Sequence, residues 1–298
     1  MDNYALWNLS REAWRAMFPS FTPIFDRFIA EKGLDERGLG WLFAAITFEP
    51  ETITPARLQV RTPYTATEVS HDELVKLTLK GFLAETSPGE YILTPGSRAE
   101  TLRLIEEGRA AMAEADPLPM ADSHRLASLL GRLALTALNT PPPPDTWSID
   151  LSYRLMPPAS PPLPFFEQAM SCMGAYRDDA HLAAWQPSGL SAAALESLTL
   201  LWRSEADSLD ALCEKLSRRG HSRRVYAEAL EELRRQGFLE GSDSAPRLTE
   251  AGKSFREQME QDTDRYFFAP WTCFNDDERK ALADLFIRLR DGLKVKAS

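Results

Sequence analysis

Lys215-Leu-Ser-Arg-Arg-Gly-His-Ser-Arg-Arg224 carries five positive charges and no acid, in a chain of 298 residues whose formal net charge is −10. Directly behind it, Val225, Ala229, Leu230 and Leu233 recur at helical spacing, and the run closes at Gly237, a residue suited to ending a helix. Phe238-Leu239 then starts a short strand, Gly241-Ser-Asp-Ser-Ala-Pro246 supplies a turn, and Leu248-Thr-Glu-Ala-Gly252 leads into a long closing helix. Helix, strand, wing, strand and helix in that order is the layout of a winged helix-turn-helix. The basic stretch falls at its turn and at the start of its second helix.

The whole chain sets the bounds. A composition of 44% hydrophobic and 26% charged residues describes a globular protein with ample core, in about two domains. No apolar run reaches the roughly 20 residues that a membrane span needs, and Met1-Asp-Asn-Tyr4 lacks the basic-then-apolar order of a secretion signal. A cytoplasmic location without membrane contact is therefore expected. Cys172, Cys213 and Cys273 are odd in number and widely spaced, which predicts neither a disulfide framework nor a zinc site. The acidic balance argues against indiscriminate coating of nucleic acid but leaves room for one local basic patch.

An internal repeat organises the rest, at a constant offset of 156. Gly33-Leu34 returns as Gly189-Leu190, Leu39 and Leu42 as Leu195 and Leu198, and Leu74 and Leu77 as Leu230 and Leu233. Gly81-Phe82-Leu83 returns as Gly237-Phe238-Leu239, and after a one-residue adjustment Leu93-Thr94 answers Leu248-Thr249. The register holds to Leu126, Leu129, Arg132 and Leu133, which match Leu282, Leu285, Arg288 and Leu289. Two copies of one helix-rich winged module are expected: residues 1–140, a proline-rich connector at 141–164, and residues 165–298.

The stretches Gly237-Phe-Leu-Glu240 and Leu248-Thr-Glu-Ala-Gly-Lys253, which border the wing, resemble those of the MarR-type winged-helix regulators. Through the repeat the resemblance extends over nearly the whole chain. It implies a mainly α fold with small β wings, arranged as an intramolecular pseudo-dimer, because the terminal helices of such regulators hold two subunits together. It further implies double-stranded DNA as partner, a small aromatic ligand bound between the winged lobe and the terminal helices, and either a monomeric pseudo-dimer or a homodimer.

In chain order, helices are predicted at 4–18 and 22–32, from an Asp35 N-cap through Ile46, at 53–60 and at 67–80. A wing tip follows at 85–90 and a return strand at 91–93, then helices at 96–115 and 121–138. Trp147, Ile149, Leu151, Tyr153 and Leu155 alternate within the proline-rich connector and predict a strand-like segment laid on a module surface. In the second half, helices are expected through Phe165 to Trp185, from Ser191, and from an Asn275–Glu278 capping box.

The repeat allows the two nucleic-acid faces to be compared. Arg218, Arg219, His221, Ser222, Arg223 and Arg224 correspond to Thr62, Pro63, Thr65, Ala66, Thr67 and Glu68, so only the second module offers charge. Lys215 with these residues is the candidate DNA-binding set: arginines for phosphate or the O6/N7 edge of guanine, Ser222 and His221 at the helix start. The competing reading is a solvated basic edge paired with Glu228, Glu231 and Glu232. Neither wing tip carries a basic residue, so the helix would supply most of the contact.

For a ligand, Tyr176, Asp178, His181 and Trp185 are the candidates, since His181 and Trp185 fall at the repeat positions of Phe25 and Ile29. Asp178 and His181 share a helix face, so a carboxylate beside an imidazole could serve as a contact or a base. The plainer alternative is a buried histidine satisfied by Asp178 or a backbone carbonyl. Tyr266 to Trp271 and Phe274 read as hydrophobic seam. Phosphate loop, Gly-x-Ser-x-Gly elbow and His-Glu-x-x-His pair are all missing from the sequence, so no catalytic residue, cofactor or metal is assigned. Tandem winged helices also resemble a class of DNA glycosylases, but their Gln-x-Gln motif is not found, the nearest pair being Gln258 and Gln261. The expected function is DNA-binding regulation; an interaction or ligand-binding protein without DNA contact is the alternative, and a repair glycosylase a minor one.

Overall fold

Asp2 opens the first helix by accepting the Ala5 amide at 2.7 Å, and Gly33 closes it at φ 59°. In the computed structural model, which describes residues 2–297, this helix, α1, runs unbroken over Asn3–Lys32. Two helices are expected here, and the structure joins them through Pro19 and Pro23. Each proline forfeits one intrahelical bond at about 3 kcal/mol. Leu6, Trp7, Met17, Phe21 and Phe28 are buried along the helix, at roughly 1.5–3 kcal/mol each, and that burial outweighs the loss.

The chain continues through α2 (Glu36–Phe48), α3 (Pro55–Arg61) and α4 (Thr67–Leu79). Asp35 caps α2 by accepting the Gly38 amide at 2.8 Å, as its position predicts. The helix expected from Ile53 starts at Pro55 instead. Thr54 caps it, and Ile53 forms a β-bridge to Tyr91. An antiparallel pair, β1 (Leu83–Ser87) and β2 (Glu90–Leu93), makes the first wing, followed by α5 (Pro95–Ala115) and α6 (Met120–Leu138).

The segment with alternating apolar residues is helical, not strand-like: α7 spans Trp147–Tyr153. Its capping group comes from far along the chain. Asp179, almost fully buried, accepts the Ser148 amide at 2.8 Å and the Ile149 amide at 3.0 Å. Burial pushes this carboxyl up to about 6, against the opposing pull of those donors.

Beyond it lie α8 (Pro162–Trp185), α9 (Ala192–Trp202), α10 (Leu209–Lys215) and α11 (Arg223–Arg235). A second antiparallel pair, β3 (Leu239–Glu240) and β4 (Arg247–Leu248), precedes α12 (Glu250–Phe268) and α13 (Asp276–Ala297). The Asn275 capping box forms as expected, with Glu278 N donating to Asn275 Oδ1 at 2.9 Å and Asn275 N to Glu278 Oε2 at 3.1 Å. α4 and α11 begin and end at the same offset of 156 residues, and α2 and α9 begin at it too.

The fold is mainly α with two small antiparallel sheets. Its largest core draws on α1, α6, α8 and α13, with Phe267, Trp271 and Phe274 in the seam where the sequence places them. Leu39, Leu42, Leu74 and Leu77 centre a second core under the first wing. A third, around Leu198, Leu230 and Leu233, lies under the second. A small cluster of Leu182, Trp185, Leu195 and Met259 has Tyr64 packed against it. No helix among the described residues is long and apolar enough to cross a membrane.

Candidate nucleic-acid interface

α10 and α11 are connected by a 3-10 turn, Ser217–Arg219, and by Gly220 at φ 78°. Glycine is required there twice over. The left-handed backbone disfavours a side chain, and a Cβ would stand 2.2 Å from Val69 Cγ2. Tyr226, buried on α11, donates its hydroxyl to Leu216 O at 3.4 Å and meets His221 edge-on, which fixes the angle between turn and helix.

Lys215, Arg218, Ser222, Arg223 and Arg224 are exposed. Ser222 makes no capping hydrogen bond, so the first-turn amides of α11 have no side chain on them. Arg224 pairs with Glu228 at 2.8 Å, both well exposed, and Arg223 with Asp210. Such surface pairs contribute at most about 1 kcal/mol, so a phosphate can displace either carboxylate. Of the acids expected to neutralise the stretch, only Glu228 does so. Glu231 pairs with Arg234, and Glu232 accepts the Ser191 amide at 2.8 Å and hydroxyl at 2.6 Å, at the start of α9.

Arg219 and His221 are placed differently. The Arg219 guanidinium bonds Glu196 Oε1 at 2.6 Å and lies over the Tyr64 ring at 5.6 Å; burial raises the Glu196 carboxyl and Arg219 opposes that rise. His221 Nε2 donates to Tyr64 O at 3.0 Å. Both are turned toward the loop between α3 and α4. Tyr64 itself escaped the sequence comparison, although one signal was there: an aromatic ring stands at the repeat position of Gly220.

The match to known families falls on this half. Residues 152–294 match the model of a helix-turn-helix family. The helix-turn-helix domain so identified contains α10, its turn and α11, and this is an architecture whose second helix reads the major groove. No curated protein and no solved structure matches the chain.

The ligand candidates on α8, which enters this domain from its N-terminal side, do not form one site. Tyr176 is fully buried, with its hydroxyl on Tyr266 O at 3.3 Å. Asp178 is not bonded to His181 but to Arg61 Nε, at 2.8 Å. His181 Nε2 and the Tyr64 hydroxyl share a hydrogen bond of 2.6 Å; burial first, and then Arg256, push the imidazole down to about 4, so it stays neutral. Trp185 packs beside Tyr64. A cavity of about 760 Å³ lies next to this group, and of these residues only Asp178 lines it. Phe21, Phe25, Trp41, Phe43 and Phe48 form apolar wall, while Arg37, Arg57, Arg61, Arg109 and Arg219 contribute cations. Glu167 lines it too, with Oε1 held by Trp14 Nε1 at 3.3 Å and Ser171 Oγ at 3.0 Å, and burial raises its carboxyl. The indole N–H of Trp41 is buried and has no partner among the described residues.

Proposed function

We propose that this is a cytoplasmic DNA-binding regulator of MarR-like type, built as two tandem winged modules that pair within one chain and contacting the duplex through the second. The observation that carries the reading is the exposed basic start of α11, Lys215, Arg218, Arg223 and Arg224, inside a helix-turn-helix domain of an otherwise acidic chain. Uncapped amides at that helix start add a site for phosphate. The common offset of α4 and α11 supports the tandem arrangement, and the joint core of α1, α6, α8 and α13 supports pairing through the terminal helices.

Fluorescence anisotropy on random-sequence duplex and on DNA from upstream of its own gene tests this, at about 50 and 200 mM salt. Binding should favour the upstream DNA and weaken with salt, and a double change of Arg223→Ala and Arg224→Ala should reduce both affinity and salt slope. No binding at micromolar protein would overturn the reading in favour of an interaction protein.

A second reading concerns the ligand. The aromatic cavity, rather than the Tyr176 to Trp185 face, is where a small aromatic molecule fits, with the rings of Phe21, Phe25, Trp41 and Phe43 as apolar wall and arginines beside them. Quenching of tryptophan fluorescence by aromatic acids tests it. A Trp41→Ala chain that titrates with unchanged affinity would place the ligand elsewhere.

A further inference from the structure

The basic turn and the loop of the first half touch over a set of specific contacts. Ala66 N donates to Arg219 O at 2.8 Å, a backbone bond between residues far apart in sequence. His221 Nε2 donates to Tyr64 O at 3.0 Å, and Arg37 Nη2 donates to Arg218 O at 3.1 Å. The Tyr64 ring lies under Arg219, and Val69 fills the space over Gly220. On its other side the same loop is pinned to α8 by the Tyr64 hydroxyl on His181 and by Arg61 on Asp178.

α4 begins at Thr67 and α11 at Arg223, so the contact joins the start of α4 to the turn that leads into α11. The same contact covers Arg219 and His221, leaving only part of the basic stretch for phosphate.

We infer that the contact of residues 62–69 with residues 217–221 is an autoinhibitory latch, which must open before the basic helix start can seat fully on a duplex. The inference rests on the DNA-binding reading and adds its regulation. Thr62, Thr65 and Arg219 of the latch, and Arg37 that bonds Arg218 O, also line the cavity, so the cavity abuts the latch.

A disulfide across the contact tests it. A Cβ built on Gly220 stands 3.7 Å from Val69 Cβ, within the distance a disulfide bridges. Val69→Cys and Gly220→Cys are introduced together, with Cys213→Ser and Cys273→Ser to remove the two less buried native thiols. The full chain is then compared with itself, oxidised and reduced, so that any strain from replacing Gly220 is common to both states. The expected result is duplex affinity at least tenfold weaker when oxidised and restored by reductant, with Tyr64→Ala binding more tightly than the native chain. Equal affinity in the two redox states overturns the latch while leaving DNA binding intact, and so does failure of the disulfide to form. Absence of duplex binding by the oxidised, reduced and Tyr64→Ala chains alike overturns the DNA reading, and the latch with it.

Discussion

His181 offers a quantitative test of how α8 meets the first half. Its imidazole is held neutral by burial, with Arg256 and Arg177 opposing protonation and Glu260 favouring it, and its pKa falls from the ordinary 6.5 to about 4. A histidine with a lowered native value binds more protons unfolded than folded between those two values, so its contribution to stability is complete above pH 6.5 and is lost as pH falls toward 4. At pH 5 the unfolded ring is almost fully protonated and the native ring barely so. The linkage then amounts to about 2 kcal/mol relative to pH 7. Asp179, raised to about 6, works in the opposite sense, gaining stability as pH falls through the same range. The measurement is therefore a difference between two chains: urea unfolding of native protein and of His181→Gln, each at pH 7 and pH 5. Glutamine keeps a partner for the Tyr64 hydroxyl but cannot titrate. The native chain should lose about 2 kcal/mol more than the variant between the two pH values. Equal losses would show that His181 is solvated, and the joint at Tyr64 would then not be formed as described.

Three further outcomes follow from the packing. Replacing Glu196 with Gln leaves the half-buried Arg219 without its carboxylate, which should cost about 2 kcal/mol in unfolding while strengthening duplex binding as the guanidinium is freed; unchanged stability would mean the pair contributes nothing. Leu74→Ala and Leu230→Ala, both at fully buried positions related by the offset, should each lose about 2–5 kcal/mol, and a loss well under 1 kcal/mol at either would place that side chain outside its core. At Gly131, a Cβ would stand 2.9 Å from the Phe165 ring, so Gly131→Ala should lower stability by about 1–2 kcal/mol and Phe165→Leu should recover part of it; an alanine variant as stable as the native chain would show that the ring moves freely.

Much of the fold was legible because its signals are local. Asp35, Asn275 and Glu278 cap the helices they were expected to cap, since a cap depends on side chain and amide a few residues apart. α4, α11 and their wings follow from apolar spacing and the glycines that end each helix. Where reading failed, the deciding partner was distant. The alternation at Trp147 to Leu155 reads as strand, but the carboxylate that starts the α7 helix belongs to Asp179 on α8. Pro19 and Pro23 read as a break, and burial of α1 against the rest of the largest core holds the helix through them. The candidate site divides the same way. Charge at Lys215 to Arg224 is visible in one dimension, whereas its division into exposed and covered residues depends on Tyr64, which only the fold brings there. Asp178 and His181 share a helix face as expected, yet each is taken by a separate residue of the first half.

The pairing of α1 with α13 constrains how the protein can be made. Leu6, Trp7, Ala13 and Met17 are buried in a core completed by Leu282, Phe286, Leu289 and Leu293, and Arg290 of the last helix bonds Glu12 of the first at 2.6 Å. A ribosome adds roughly 5–20 residues per second, so about 15–60 s separate the emergence of the first helix from that of the last. Throughout that interval the apolar face of α1 has no α13 to cover it. This core is accordingly completed only once α13 has emerged, and until then the apolar face of α1 is open to hydrophobic-binding chaperones.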